Sequence, residues 1–231
     1  MTADHDGRVV VLAALERELA PLRLGLLRSR ATLVRTGVGP RLAAAATRQH
    51  AAGTRLLVNT GCCGGLTAGL RPGTLVIADR VLEDPGPGRS LLEASSPDPS
   101  WVSRTLAAGR SLGLTCVSGP TLTVRRALFT PEEKRRGHER SGALAVDMET
   151  AAVARAAARA GVPYLTVRVV LDAADESLPL SPRLLEGLVA LGRGKLLLDA
   201  FRPGRAWASL RLSMRLVLAS RGLARLLAEV L

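Results

Sequence analysis

The sequence predicts a single α/β domain, with a central mixed or parallel sheet flanked by helices. Three observations carry that expectation. Apolar runs of strand length occur at Val9–Leu15, Arg55–Asn59 and Tyr164–Leu171. Alanine-rich runs of helix length lie between them, at Arg41–Ala52 and again after Glu149. Tyr164–Leu171 is apolar at successive positions rather than at alternate ones, as in a strand covered on both faces. With 231 residues and 47% hydrophobic content, the chain is long enough to bury one full core. Only Trp101, Phe129, Tyr164, Phe201 and Trp207 are aromatic, so the core must be built from Leu, Val and Ala.

Taken in order, Val9–Leu15 opens into Glu16-Arg17-Glu18, a strand-to-helix turn in which both acids suit a helix N-terminus. Ala31–Arg35 is a second short strand. Thr36-Gly37-Val38-Gly39-Pro40 then leads into the helix from Arg41, a place where glycines let backbone amides approach an anion. Arg55–Asn59 is the next strand. It ends in Thr60-Gly61-Cys62-Cys63-Gly64-Gly65, read as a turn of small residues beside which a ligand can pass closely. Leu75–Ala78 is a strand after the Arg71–Thr74 turn. Glu83–Ser100, rich in Pro, Gly and Ser, is an irregular surface loop.

Trp101–Ser111 reads as a helix, and Leu114–Ser118 and Thr121–Val124 as two strands. Thr130-Pro131-Glu132-Glu133 has a cap, a first-turn proline and acids, a helix start. Asp147 and Glu149 open the alanine run, which Gly161 ends and Pro163 forbids from resuming. Tyr164–Leu171, broken only by Arg168, delivers Asp172 just past a strand's carboxyl end, where open parallel sheets place ligands. Each acid could also be an ordinary helix cap or first-turn acid.

A further helix is expected over 181–200, broken by Pro203-Gly204. In the tail, Arg211, Arg215, Arg221 and Arg225 fall on one arc. Leu212, Leu216, Leu223, Leu226, Leu227 and Val230 cover the other side. Such a helix can lie on an anionic membrane or pack on the protein with its arginines outward. Residues 1–200 are read as the catalytic domain and 201–231 as a basic amphipathic tail that is not an independent domain.

The net charge is +12, supplied almost wholly by arginine, since Lys134 and Lys195 are the only lysines. That balance suits an anionic partner. Aromatic platforms and a recognisable reading helix are missing, so no nucleic acid is expected, although a salt-sensitive binding protein is the competing class. Cys62, Cys63 and Cys116 have neither zinc-ligand spacing nor an even count, so no metal is expected and a reducing cytoplasm fits. Cys62 could be a nucleophile, but a small buried thiol is the reading favoured here. The start lacks a signal-peptide pattern, and no stretch has the roughly 18 uncharged apolar residues of a membrane span.

Five of these segments, in order over roughly residues 8 to 200, resemble the purine nucleoside phosphorylase and uridine phosphorylase family, including its methylthioadenosine/S-adenosylhomocysteine nucleosidase branch. Ala14-Leu15-Glu16-Arg17-Glu18 resembles the branch's A-M-E-x-E. Gly37 and Gly39 match S-G-x-G. Asn59-Thr60-Gly61-Cys62-Cys63-Gly64-Gly65-Leu66 resembles N-T-G-S-A-G-G-L. Val146-Asp147-Met148-Glu149-Thr150 resembles VEMEA, and Leu171-Asp172-Ala173-Ala174-Asp175 resembles S-D-x-A-D, with Leu171 in place of the usual Ser.

The resemblance implies cleavage of the N-glycosidic bond of a purine nucleoside, with adenine the favoured base. Asp172 would donate a proton toward the leaving purine, and Glu18 would position or deprotonate the attacking water. Glu149 would hold the ribose hydroxyls. Met148, Gly37, Gly39, Cys62, Gly64 and Leu122 would complete the binding site, Leu122 standing where the branch has a stacking phenylalanine. Phosphorylases of the family carry an arginine where this chain has Asn59, which tilts the reading toward water. Inorganic phosphate stays open as a co-substrate, with Arg41 or Arg168 as substitute clamps. No cofactor is implied. Residues Arg125–Pro179 look most like the hopanoid-associated phosphorylase subgroup, whose implied substrate is adenosylhopane. The expected setting is cytoplasmic, peripheral at the inner membrane face, as a homo-oligomer.

Overall fold

The computed structural model describes residues 7–27, 29, 31–178, 215 and 220–231. Its elements in order are β1 (Arg8–Ala13), α1 (Glu16–Gly25), β2 (Ala31–Arg35), α2 (Pro40–Ala51), β3 (Thr54–Gly65), β4 (Leu75–Glu83), β5 (Leu92–Glu93), α3 (Pro99–Ser111), β6 (Cys116–Thr123), α4 (Pro131–Ser141), β7 (Ala145–Asp147), α5 (Thr150–Arg159) and β8 (Tyr164–Asp172). A further helix, α6, covers 220–230.

The strands form one mixed sheet, as expected. Its order is β2-β1-β3-β7-β6-β4-β5, and β8 pairs with both β3 and β4. That double pairing closes β3, β7, β6, β4 and β8 into a ring. β2, β1, β3 and β8 run parallel, so their carboxyl ends arrive together.

Successive residues of β1 explain its unbroken apolar run. Val9, Val11 and Ala13 face one layer, with Leu19 and Leu22 of α1, Leu56 and Val58 of β3, and Leu165, Val167 and Val169 of β8. Val10 and Leu12 face the other layer, with Leu57, Ala43 of α2, and Ala151, Val153, Ala154 and Ala157 of α5. Both faces are covered, so neither can be polar.

Two local expectations are corrected. The small-residue stretch Thr60–Gly65 is not a turn but the second half of the 12-residue β3. It stays extended because β8 pairs along it as far as Gly64↔Asp172, and β7 pairs with Gly64 and Gly65. Likewise Leu114–Ser118 and Thr121–Val124 are not two strands but one, β6, with Gly119 and Pro120 inside it. Pro120 has no N–H to give, and the register of β4 slips between Ala78 and Arg80 beside it. The Glu83–Ser100 loop is broken by the short β5 and ends in α3, capped by Asp98.

The tail is also decided, as far as it is described. Leu223, Leu226, Leu227 and Val230 are at most 1% exposed and belong to the same core layer as α1 and β1. Arg221 and Arg225 face outward. The apolar side of α6 is therefore spent on the protein's own core and is closed to a membrane. Arg211, Leu212, Leu216, the helix expected over 181–200 and the break at Pro203-Gly204 lie outside the described residues. No helix among the described residues is long and apolar enough to cross a membrane.

Candidate active site

The carboxyl ends of the parallel strands carry a cluster of buried acids. Glu18 sits in the first turn of α1, directly after β1, and is 5% exposed. Its Oε2 accepts from Leu15 N–H at 2.9 Å, the half of a capping box that an acid can supply. Its Oε1 accepts from Cys62 N–H at 2.8 Å, which ties α1 to β3. Glu18 thus caps α1 and bridges it to β3. Gly61 makes room for it. At φ +126 a side chain would be strained, and a Cβ would lie 2.7 Å from Glu18 Oε1 and 2.9 Å from Arg168 Nη1.

Glu149 occupies the N-cap position of α5. Its Oε1 accepts from Gly39 N–H at 2.8 Å, so the glycine loop before α2 is held by a residue 110 positions away. Oε2 accepts no hydrogen bond from the described residues. Burial, opposed by Arg168 and reinforced by Asp147 and Glu18, pushes the Glu149 carboxyl up to about 7 from 4.5. The folded protein then retains a proton that the unfolded chain releases. Stability contributed by this group is full below 4.5 and is lost as pH rises through about 7. The expected result is that Glu149→Gln flattens the fall in urea midpoint between about pH 5 and about pH 8. Equal slopes for variant and wild type would remove the assignment.

Beneath Glu18 and Glu149 lies Arg168 of β8, 2% exposed. Its Nη2 meets Asp147 Oδ2 at 2.8 Å. Nη1 donates to Thr60 O at 2.9 Å, and Nη2 to Thr150 Oγ1 at 3.0 Å and Asn59 Oδ1 at 3.3 Å. Asn59 in turn donates to Thr150 Oγ1 at 2.8 Å. Asp147 also accepts from Thr123 Oγ1 at 2.9 Å and from the Glu149 and Thr150 amides, so it caps α5 while facing the guanidinium. Arg168 is therefore spent inside the protein. Its reading as a substitute phosphate clamp is corrected, because a buried cation must be paired and this one is. Burial works against its charge, but the nearby carboxylates of Asp147, Glu149 and Glu18 together outweigh it and raise its proton affinity.

Asp172 is the last residue of β8, not the residue after it, and is 4% exposed. It faces Gly64, where a Cβ would stand 3.4 Å from Oδ2. Its Oδ2 takes a hydrogen bond from Lys134 Nζ. Oδ1 accepts none from the described residues. Burial raises its proton affinity, and the Lys134 ammonium works against that rise.

The fold thus gathers Glu18, Glu149, Gly39, Cys62, Gly64 and Asp172. Cys62 contributes its backbone N–H. Its half-buried side chain packs against the core layer of β1 and β3, and Cys63 is buried, as the favoured reading of small packed thiols expects; burial raises both thiols. Gly37, at φ +84, turns the loop under Leu42. Met148 and Leu122 stand in a separate apolar cluster with Leu66, Leu82 and Val146. Leu122 is 2% exposed, so it backs this wall and offers no surface to a substrate, a correction to its expected place in the binding site.

Sequence reasoning missed the parts played by Asp147, Asn59, Thr150 and Lys134. The one signal was Arg168, a charge within an otherwise apolar strand, which demands a buried counter-ion.

The profile of the phosphorylase superfamily matches residues 14–192. Proteins named 5'-methylthioadenosine/S-adenosylhomocysteine nucleosidase from Mycobacterium bovis and Mycobacterium tuberculosis are each 29% identical over 178 residues, 63% of this chain and 70% of theirs. The fold is also that of the Neisseria meningitidis enzyme of the same name, solved with methylthio-immucillin-A, at TM-score 0.75 and 22% identity over 97% of this chain and 98% of that one. It is equally that of the futalosine hydrolase of Helicobacter pylori, at TM-score 0.72 and 17% identity over 97% of each chain. The chain belongs to the phosphorylase superfamily.

Proposed function

We propose that the protein hydrolyses the N-glycosidic bond of an adenine nucleoside. The observation that carries this reading is the commitment of Arg168 to Asp147, Asn59, Thr60 and Thr150 beneath Glu18 and Glu149. The charge nearest the two acids is consumed internally, which favours a neutral nucleophile over phosphate.

In this mechanism the C–N bond breaks with its electron pair moving to the base, while positive charge grows on the ribose. Asp172 passes the proton on Oδ1 to the departing purine, and such acid catalysis is typically worth about 10²- to 10⁴-fold. Glu149 receives the ribose hydroxyls on Oε2 and so fixes the sugar. Glu18, anchored by two backbone amides, orients water and takes the proton that water loses as its oxygen bonds to the sugar carbon. Hydrolysis of methylthioadenosine-like substrates is the reading that the named relatives favour. A lipid-borne nucleoside such as adenosylhopane is the alternative within the same chemistry.

The test is release of free adenine from adenosine, methylthioadenosine and an apolar 5′-alkyl adenosine, with and without phosphate. Phosphate-independent release is expected. Release that requires phosphate would overturn the hydrolytic reading, and preference for the alkyl substrate would select the lipid-borne nucleoside.

A further inference from the structure

Lys134 is the largest anomaly that the mechanism leaves unused. It is one of two lysines among 32 basic residues and is wholly buried. A buried ammonium is costly unless its donors are satisfied, and here all three are. Nζ donates to Asp172 Oδ2, to Ala173 O at 2.6 Å and to Glu176 O at 2.7 Å. Three acceptors on one nitrogen suit the three rotatable donors of an ammonium and not the planar fork of arginine. That is a physical reason for lysine at this place in an arginine-rich chain.

The far side of the segment is also held. Glu176 accepts from Ala173 N–H at 3.1 Å. Its two oxygens meet Arg215 Nη1 and Nη2 at 2.7 and 2.8 Å, a two-point contact from the C-terminal part of the chain. Lys134 itself is delivered by α4, whose start is capped reciprocally by Thr130 and Glu133. Leu178 N–H to Phe129 O, at 2.9 Å, fastens the chain beyond the segment to the residue just before that cap.

We propose that Lys134 is a positioning residue for Asp172, and that the Glu176–Arg215 pair holds this arrangement from the C-terminal side. Lys134 occupies Oδ2, so the transferable proton is confined to Oδ1. It then stands as counter-charge to the carboxylate left when that proton goes to the base. The inference rests on the reading of Asp172 as the acid. The charged and titratable groups that face Asp172 are Lys134, Glu176, Arg215 and the Cys63 thiol.

The experiment compares Lys134→Met, Lys134→Arg and Arg215→Met with the wild type. Two quantities are followed: the alkaline limb of kcat for adenine release, and the titration midpoint of the Asp172 carboxyl. The midpoint is read by NMR on isotopically labelled aspartate, with the resonance assigned by its loss in Asp172→Asn. Lys134→Met removes an adjacent positive charge, so limb and midpoint both move up by about 1–3 pH units. kcat falls by about tenfold or more, while KM changes little because Lys134 has no donor left for substrate. Lys134→Arg keeps the limb near its wild-type place and loses kcat through misfit. Arg215→Met, at a partly exposed pair, shifts limb and midpoint the same way by less, and it decides the matter if Lys134→Met fails to fold. Folded variants with unmoved midpoints would overturn the proposal. A wild type that cleaves no purine nucleoside would overturn the activity, and the carboxyl midpoints would still decide whether Lys134 governs Asp172.

Discussion

Asp172→Asn is expected to fold and to lose about 10²- to 10⁴-fold in kcat on an adenine nucleoside, with KM nearly unchanged. The amide keeps an oxygen for Lys134, and Lys134 keeps its bonds to Ala173 and Glu176. The stability loss should therefore fall short of the about 3–5 kcal/mol that follows when a buried charge loses its partner outright. What the amide lacks is a proton to give to the leaving base. Turnover is read as adenine release and folding as a urea transition of unchanged steepness. A variant with near-wild-type turnover would remove Asp172 from the mechanism, and Glu18 and Glu149 would have to be reassigned with it.

Arg168→Leu is expected to be the most damaging single change to stability, at about 3–5 kcal/mol near neutral pH. Leucine fits the apolar run of β8 and is a good residue for that strand by composition. The damage arises on the other partner. Asp147, at 7% exposure, would lose its counter-charge while Glu149 remains close enough to repel it. Thr60 O and Asn59 would lose a donor as well. Adding Asp147→Asn to the leucine variant should recover part of the loss, because the stranded charge is then gone. Urea midpoints of the wild type, both single variants and the double variant form the cycle that measures this coupling. Additive losses would show that the pair is not a coupled unit.

The contrast between Arg168 and Glu149 shows where the primary sequence runs out. Both stand in or beside apolar runs, and both were visible as charges out of place. Glu149 lies in a motif whose resemblance implies a sugar contact, so a role could be named for it. Arg168 lies in no motif that names its partner, and that partner, Asp147, is brought to it by β7 and α5. The same holds for Lys134. Its segment was legible as a well-capped helix start, yet nothing local indicates that its side chain turns inward to a strand end 38 residues on.

Local order was legible because it follows from short-range rules. Short runs of strand length marked β1 and β3, and an apolar run fit to be covered on both faces marked β8. Gly161 and Pro163 marked the end of α5, and Thr130 with Glu133 marked the start of α4. The sites of Glu18, Glu149 and Asp172 followed from motif order. The extent of β3 and the unity of β6 did not, because glycine, cysteine and proline carry weak or contrary local preference there, and pairing with neighbouring strands overrides it.

By itself, then, the sequence determined the α/β class, the places of β1, β2, β3, β4, β8 and the helices between them, and the acids at helix starts and at the end of β8, but it did not mark β5 or β7. Periodicity, capping and breaker residues act within a few positions along the chain. Only the tertiary structure decided the closure of the sheet through β8, the burial of the apolar side of α6, and the pairing of Arg168 with Asp147 and of Lys134 with Asp172. Those are contacts between residues far apart in sequence, and a buried charge acquires its meaning from whichever partner the completed fold places beside it.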